Sequence, residues 1–290
     1  MEKLGYLFRK IRKEKHLSME YVCKNIISIA ALSKYERGES DITFSNFIKI
    51  LDRINVSLEE FLSMVNDENL NQQSIYSTLY AQAIKNKDTY SLLSLYRDKY
   101  TVYNDTSNIK YLHQALLAKF QYNKLKEISH TKEDISTISS YLFQVENWGM
   151  YELSLFGNFL EFLPLTTVEL LIDSSYKKTA SYNELIPNQN VLLRIFINFL
   201  TLLIDTNQLD KSNYYLKIAD KISQNSEYSI YEKLYLNALK SLMKIYRGDI
   251  INGKKEMEDI IFIFRSLELY DEARLHQEQL EKIVNSTIVK

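Results

Sequence analysis

Nine basic side chains lie within the first 40 residues, against five acidic ones, so this segment has a net charge of +4. Residues 67–290 carry 25 bases and 28 acids, a net charge of −3. A small basic segment on a mildly acidic chain is typical of a part that meets polyanions, although a solvated helix surface has the same charge pattern. The chemistry that these residues offer is ionic contact with phosphate groups.

Catalytic and metal-binding patterns are missing from the sequence. The four histidines have no His-Glu-x-x-His or His-x-x-His spacing, and a single cysteine cannot build a cysteine zinc site. No Gly-x-Gly-x-x-Gly, P-loop or Gly-x-Ser-x-Gly motif occurs. We therefore expect no enzyme activity, no catalytic residue, no bound metal and no cofactor. His113 could sense pH if it were buried beside a carboxylate, but a histidine on a helix surface or packed in the fold is the favoured interpretation.

The composition points to an all-α chain of about two domains. Its 290 residues include only 6 glycines and 2 prolines, far fewer turn residues than a β-sandwich or a Gly-rich nucleotide-binding fold needs. The N-terminus has no signal-peptide pattern. The most apolar stretch, residues 191–204, contains Arg194 and Asn198 and is too short to span a bilayer. We expect a cytoplasmic protein without membrane association.

The first 66 residues predict five short helices. Ser18 and Ser28 are good N-cap residues for the second and third helices, and Gly38 can end the third in the left-handed conformation. Ser57 and Glu60 form a capping box that starts the fifth helix near residue 58. A basic first helix and a tight turn between the second and third are typical of a helix-turn-helix domain. The predicted ranges are 3–15, 19–25, 29–36, 44–54 and a fifth ending near 65.

Residues 67–73 are polar and aperiodic, so we interpret them as a linker. The chain beyond them is a succession of amphipathic helices in pairs of roughly 35–42 residues, which predicts a tetratricopeptide-like helical repeat domain at 74–290. The predicted helices are 74–85, 88–100, 106–122, 131–145, 147–162, 166–180, 190–205, 208–224, 228–247, 250–267 and 270–286. The predicted breaks are Asn104-Asp105, Pro164, Pro187-Asn188, Thr206-Asn207 and Gly248-Asp249.

Two segments resemble a known family. The run LSKYERGESDITFSNFIKILDRINVSLEEF, from Leu32 to Phe61, resembles the helix-turn-helix of the phage-repressor (XRE) superfamily and, within it, the Rgg/GadR/MutR regulators. The run YLFQVENWGMYELSLFGNFLEFLP, residues 141–164, is also similar to the Rgg family. The resemblance covers essentially the whole chain. It implies an XRE-type helix-turn-helix domain at 1–66 followed by the repeat domain.

In such a domain the third helix enters the major groove with its N-terminal residues at base edges. Ser28 can make one flexible hydrogen bond there, while Ile29 and Ala30 can touch only thymine methyl groups. Lys34, one turn later, is the best candidate for a polar base contact. We therefore expect A·T-rich target sites and a large share of indirect readout. The residues assigned to phosphate contacts are Arg9, Arg12, Lys13 and Arg37.

Three other residues of this domain have structural interpretations. Met19 stands where many XRE proteins have a glutamine that contacts phosphate, so that contact is missing here. The resemblance implies that Glu36 orients the neighbouring Arg37 and does not touch DNA. Cys23 lies among apolar residues, and a buried structural thiol is favoured over a redox sensor.

The resemblance implies that the concave surface of the repeats binds a short signalling peptide, because Rgg proteins belong to a quorum-sensing group of peptide-pheromone receptors. Asn side chains supply both donor and acceptor to the unpaired backbone of an extended peptide. Arg194, in an apolar helix, needs a peptide carboxylate or an internal partner such as Asp205 or Glu161. Trp148 is favoured as a core residue over a peptide contact. The candidate peptide-binding residues are Tyr151, Asn158, Arg194, Asn198, Tyr235, Asn237 and Tyr246.

The sequence thus predicts a cytoplasmic, peptide-responsive transcriptional regulator that binds double-stranded DNA as a homodimer. One small head has too little interface for tight specific binding, so two heads on neighbouring half-sites are expected. We expect the C-terminal helices, including residues 260–283, to form the dimer. Two alternatives stay open: a regulator of the same architecture that answers to a protein partner or to no ligand, and a helical-repeat scaffold or inhibitor that does not bind DNA.

Overall fold

The computed structural model describes the backbone of residues 2–65, 68–179, 186–224 and 230–288, and all regular elements in these ranges are helices. Each predicted helix has a counterpart in the predicted order. The helices are α1 Glu2–Glu14, α2 Met19–Cys23, α3 Ile29–Glu36, α4 Phe44–Arg53, α5 Leu58–Met64, α6 Glu68–Lys85, α7 Thr89–Thr106, α8 Ile109–Leu125, α9 Lys132–Gln144, α10 Met150–Phe159, a 3₁₀ helix Leu160–Phe162, α11 Leu165–Lys178, α12 Ile186–Asp205, α13 Leu209–Gln224, α14 Ile230–Tyr246, α15 Ile250–Ser266 and α16 Tyr270–Ile288.

Two local predictions were wrong. The break at Asn104-Asp105 does not exist, because α7 continues to Thr106 and the chain turns at Ser107. Residues 68–73 of the predicted linker are helical and belong to α6, since no glycine or proline interrupts residues 67–85. The chain forms two compact units, residues 1–91 and 92–290. The domain limits 1–66 and 74–290 stay predictions.

Most of the helix connections that the structure describes use a left-handed residue that is not glycine. Such residues follow the ends of helices, where a positive φ reverses the chain and satisfies the last carbonyl groups. Gly38 and Gly248 do the same with φ of 72° and 92°. This explains how a chain with so few glycines forms many short helix connections. The non-glycine residues with φ between 51° and 62° are His16, Asn25, Asn55, Lys87, Ser107, Glu127, Asn207 and Glu268.

The predicted helix caps of the first unit are confirmed. The Oγ atoms of Ser18, Ser28 and Ser57 each accept a hydrogen bond from the backbone N–H three residues later, at 3.0–3.1 Å. At Ser57 this is the first half of the predicted capping box. After α3, the N–H of Glu39 donates to the carbonyl of Lys34 at 2.9 Å, and Gly38 holds the left-handed position of a Schellman motif.

One apolar core holds α1–α5 together. Phe8 of α1, Leu32 of α3, Leu51 of α4 and Phe61 of α5 are all buried in it. Cys23 of α2 is also buried in this core, and burial raises the pKa of its thiol. Its burial and the raised pKa both agree with the structural interpretation, because a thiol with a raised pKa is a poor redox sensor.

A buried ion pair ties α1 to α3. Nε and Nη2 of Arg12 donate to the two carboxylate oxygens of Glu36 at 2.6 and 2.8 Å, and Nη1 donates to the carbonyl of Leu17 at 2.7 Å. Both side chains are buried, and the pair raises the pKa of Arg12. The assignment of Arg12 to phosphate was therefore wrong, because its donors are already used inside the core. Glu36 does orient an arginine, but that arginine is Arg12 and not Arg37.

Gly5 permits the close approach of α1 and α3. A Cβ atom at this position would lie 1.9 Å from the backbone oxygen of Tyr35, so no other residue fits without moving one helix. The separation between α1 and α3 is therefore set by a glycine in the helix interior, and the Arg12–Glu36 pair forms across the same contact.

The second unit is built from repeated helix pairs. The even-numbered helices α8, α10, α12, α14 and α16 each pack against the next member of that row. The helices between them pack on the row and on its neighbours. Polar contacts join positions 37–42 residues apart, which agrees with the predicted repeat of 35–42 residues. These contacts are Lys124–Glu161, Arg194–Glu232, His113–Tyr151, Tyr231–Glu272, Lys211–Glu169 and Tyr215–Asp173.

Trp148 and His113 are packed residues, as expected. Trp148 is fully buried, and its Nε1 donates to the carbonyl of Leu142 at 3.2 Å. His113 is buried with Nδ1 2.8 Å from the hydroxyl of Tyr151, and burial lowers its pKa to about 4. A pKa below the physiological range favours the neutral imidazole near pH 7, which agrees with a packed histidine.

We predict that Arg12→Ala destabilises the head, because it leaves the Glu36 carboxylate buried without its partner. Breaking such a pair costs about 3–5 kcal/mol. Amide exchange in α1–α3, measured by mass spectrometry on the full chain, should therefore accelerate by at least about 100-fold. The exposed Lys13→Ala is the matched control and should change stability by less than about 0.5 kcal/mol. Equal exchange rates in both variants would contradict the structural role of Arg12.

Candidate functional site

Helix α3 has one buried face and one exposed face. Leu32, Tyr35 and Glu36 are buried in the head, whereas the predicted base-side residues are all exposed. Ile29 is 50% exposed, which is unusual for an isoleucine in a folded domain. The hydroxyl of Ser28 also caps α3, so it has a structural role beside the predicted one. The base-side residues are Ser28, Ile29, Ala30 and Lys34.

The other three residues assigned to phosphate contacts differ in exposure and in the hydrogen bonds that they already make. Lys13 is exposed and Arg9 is half-buried. Arg37 is exposed, but its guanidinium donates to both carboxylate oxygens of Glu39 and to the hydroxyl of Ser33. A phosphate contact by Arg37 would have to replace these bonds. Met19 is half-buried and packs against the head core.

The second unit contains a cavity of about 360 Å³ between α12 and α14. Three of its lining residues, Arg194, Asn198 and Tyr235, belong to the predicted peptide-binding set. Sequence reasoning missed the other three, Ile197, Tyr231 and Glu232. Tyr231 lies one helical turn before Tyr235, so the spacing i, i+4 on α14 is the signal that could have found it.

The polar residues of α12 lie on one exposed strip because almost all of its other side chains are buried. Between Leu192 and Asp205, only Arg194, Asn198 and Asp205 are exposed. They are spaced four and seven residues apart, which places them on one strip of the helix. The rest of the surface packs against α10, α11, α13, α14 and the 3₁₀ helix.

Arg194 pairs with a buried acid from the next repeat. Its Nε donates to Oε1 of Glu232 at 2.5 Å. The side chain of Arg194 is 61% exposed, whereas that of Glu232 is 4% exposed. The predicted internal partners, Asp205 and Glu161, were wrong. The partner lies 38 residues later in the chain, one repeat further on.

Two tyrosines form the opposite wall of the cavity. The rings of Tyr231 and Tyr235 lie 4.9 Å apart, and the Tyr231 hydroxyl donates to the carboxylate of Glu272 at 3.3 Å. The Tyr235 ring packs edge-on against His276 at 4.8 Å, and burial raises the pKa of the Tyr235 hydroxyl. Burial also lowers the pKa of His276. The wall is therefore mainly aromatic, with the acids Glu232, which lines the cavity, and Glu272, which accepts from Tyr231.

The other predicted peptide residues lie outside this cavity. Tyr246 is three turns beyond Tyr235 on the same face of α14, and its pKa is raised by burial and by the nearby charge of Asp205. Tyr151 and Asn158 are exposed on α10, one helix earlier in the even-numbered row. Asn237 is exposed on α14 but does not line the cavity.

The described residues provide neither a group of metal ligands nor a membrane-spanning helix. Within the described ranges, no three or more His, Cys, Asp or Glu side chains are grouped as metal ligands. Over the same part of the chain, no helix combines the length and apolar character needed to cross a membrane.

Comparison with known proteins identifies both parts of the chain. Residues 93–278 match the family described as HTH-type transcriptional regulator Rgg, C-terminal domain, and residues 8–61 match a helix-turn-helix family. The SHP pheromone receptor Rgg2 of Streptococcus dysgalactiae is 25% identical, with a TM-score of 0.81, over 96% of this chain and 99% of that one.

Two further solved structures share the fold. A protein of Listeria monocytogenes EGD-e, described as a transcriptional regulator, has a TM-score of 0.86 at 20% identity over 100% of this chain and 99% of its own. PrgX in complex with iCF10 has a TM-score of 0.79 at 19% identity, over 99% of this chain and 91% of its own. With an XRE-type head and a matching C-terminal domain, the chain belongs to the Rgg family of helix-turn-helix transcriptional regulators.

Proposed function

We propose that this regulator binds a short signalling peptide along α12 and α14 and that the peptide controls how its heads bind promoter DNA. The observation that carries the proposal is the cavity lined by Arg194, Asn198 and Tyr235, where a cation, an amide and an aromatic ring converge. Two of the similar solved structures support a peptide as ligand, since Rgg2 is a pheromone receptor and PrgX was solved with iCF10.

The properties of α12 and α14 suit an extended peptide. Beyond the cavity, Asp205 and Tyr246 continue the same two faces, so polar side chains follow the helices for about three turns. Asn198 can donate to and accept from one peptide unit. Tyr151 and Asn158 on α10 are the candidates for the part of the peptide that reaches the preceding repeat.

On the DNA side, we propose that α3 reads the major groove. Ile29 and Ala30 would meet thymine methyl groups, which favours A·T-rich sites, and Lys34 would supply the polar base contact. Lys13, Arg9 and, after exchange of partners, Arg37 would contact phosphates.

We further propose that the protein acts as a homodimer in the cytoplasm. The C-terminal helices α15 and α16 expose several large apolar side chains, and such surfaces commonly form protein interfaces. A second copy of the chain would cover them and would bring two heads to neighbouring half-sites. The exposed residues are Phe262, Ile263, Leu267, Tyr270 and Leu275.

Lys34→Ala should reduce sequence discrimination about tenfold, because base contacts contribute about 1–3 kcal/mol. The measurement is fluorescence-polarisation binding to DNA upstream of the protein's own gene, compared with a scrambled duplex at several salt concentrations. Lys13→Ala is the contrasting variant: it should weaken binding to both duplexes equally and lower the salt slope by about 1. An unchanged preference in Lys34→Ala would show that α3 is misplaced in the groove.

Asn198→Ala should weaken the response to peptide about tenfold, because a peptide group covered in the complex without its hydrogen-bond partner costs about 1–3 kcal/mol. The readout is the amount of a low-molecular-mass peptide fraction from the source organism's culture that half-shifts DNA binding. Asn237→Ala is the matched control, because this exposed asparagine lies on α14 outside the cavity. If both variants responded as the wild-type protein does, or if no peptide fraction shifted binding, the peptide proposal would fail.

A further inference from the structure

The ion pair in the cavity is asymmetric. Glu232 is almost completely buried and binds Arg194 through Nε alone, and no hydrogen bond of the two Nη groups is found in the part of the chain that the structure describes. The outer edge of the guanidinium therefore keeps free N–H donors on an exposed side chain. A guanidinium edge of this kind matches the two oxygens of a carboxylate.

The exposure of the charged groups favours an anion over a cation at the surface of the cavity. Glu232 is withdrawn from the solvent at 4% exposure, whereas the side chain of Arg194 is 61% exposed. Glu272, on α16, accepts a hydrogen bond from Tyr231. Of the charged side chains that line the cavity, Arg194 is the exposed one, so an incoming ligand meets a positive charge first.

The neighbouring surfaces indicate what accompanies the anion. Ile197 on α12 and the rings of Tyr231 and Tyr235 on α14 offer apolar contact beside Arg194. Asn198, one turn from Arg194 on the same strip, can pair with an amide group. The cavity thus combines an anion site, an apolar surface and an amide site within two helical turns.

Building on the proposed function, we propose that this cavity binds a peptide carboxylate next to an apolar or aromatic side chain, with Arg194 as the carboxylate-binding residue. The buried Glu232 holds the guanidinium in place through Nε, which leaves the outer edge directed to the ligand. The carboxylate could belong to the C-terminus of the peptide or to an acidic side chain, because the two groups share the same chemistry.

Small probes test this on the full-length protein. We would titrate acetyl-phenylalanine, acetyl-phenylalaninamide and phenethylamine, with binding measured by ligand-observed NMR. The carboxylate probe should bind at least about tenfold tighter than the amide, since the amide cannot accept the charged bidentate hydrogen bonds. A further probe, acetyl-Asp-Phe-amide, carries its carboxylate on a side chain. Tighter binding of acetyl-phenylalanine than of this probe would assign the site to a C-terminal carboxylate, and tighter binding of acetyl-Asp-Phe-amide would assign it to an acidic side chain.

Three variants make the test specific to the ion pair. Arg194→Gln should remove the preference for the carboxylate. Glu232→Gln should strengthen carboxylate binding several-fold, because it removes the opposing charge while keeping the shape, and a purely structural pair would not give this gain. Arg265→Gln, which alters an exposed arginine of α15 outside the cavity, should bind all probes as the wild-type protein does.

The outcomes separate this inference from the proposed function. Equal binding of acid and amide, tighter binding of phenethylamine, or no binding of the carboxylate probes would overturn the carboxylate site. If Asn198→Ala still lowered the response to the culture peptides in that case, the peptide-receptor function would stand without it. Carboxylate binding that depends on Arg194, together with DNA binding indifferent to the culture peptides, would instead support the site and contradict the proposed function.

Discussion

The burial of α12 is the constraint on which the second unit depends. This helix is apolar around most of its circumference and packs against five neighbouring elements, so it can leave only a narrow strip uncovered. The polar residues of α12 must therefore lie on that strip. The packing that buries the rest of α12 therefore also determines where the candidate ligand site lies.

The head depends on a comparable constraint at a smaller scale. Gly5 lets α1 approach α3, and Arg12 joins Glu36 across that contact. This ion pair holds the inner face of α3 against α1, and the opposite face of α3 stays exposed. An arginine on a basic helix can thus belong to the core. Its charge alone does not identify it as a residue that contacts DNA, because its burial must also be known.

The helices could be predicted from the sequence because local residue preferences determine where they begin and end. Caps at Ser18, Ser28 and Ser57 and the left-handed Gly38 depend on neighbouring residues only. The site was predicted in part: Arg194 and Asn198 stand out as polar residues in an apolar helix. Glu232 and the role of Arg12 were missed, because both depend on contacts between residues distant in sequence. Asn237 lies outside the cavity lining because it is on another face of α14 from Tyr235, and the side-chain type alone does not distinguish the two faces.

The central claim is that a short peptide binds between α12 and α14. The most direct measurement places a photo-crosslinking amino acid at Tyr235, irradiates the full-length protein in the source organism and identifies the attached species by mass spectrometry. The same substitution at the exposed Tyr214 of α13, outside the cavity, is the control. The account predicts a short peptide attached at position 235 and none at 214. A larger protein attached at 235, or no adduct there, would contradict it.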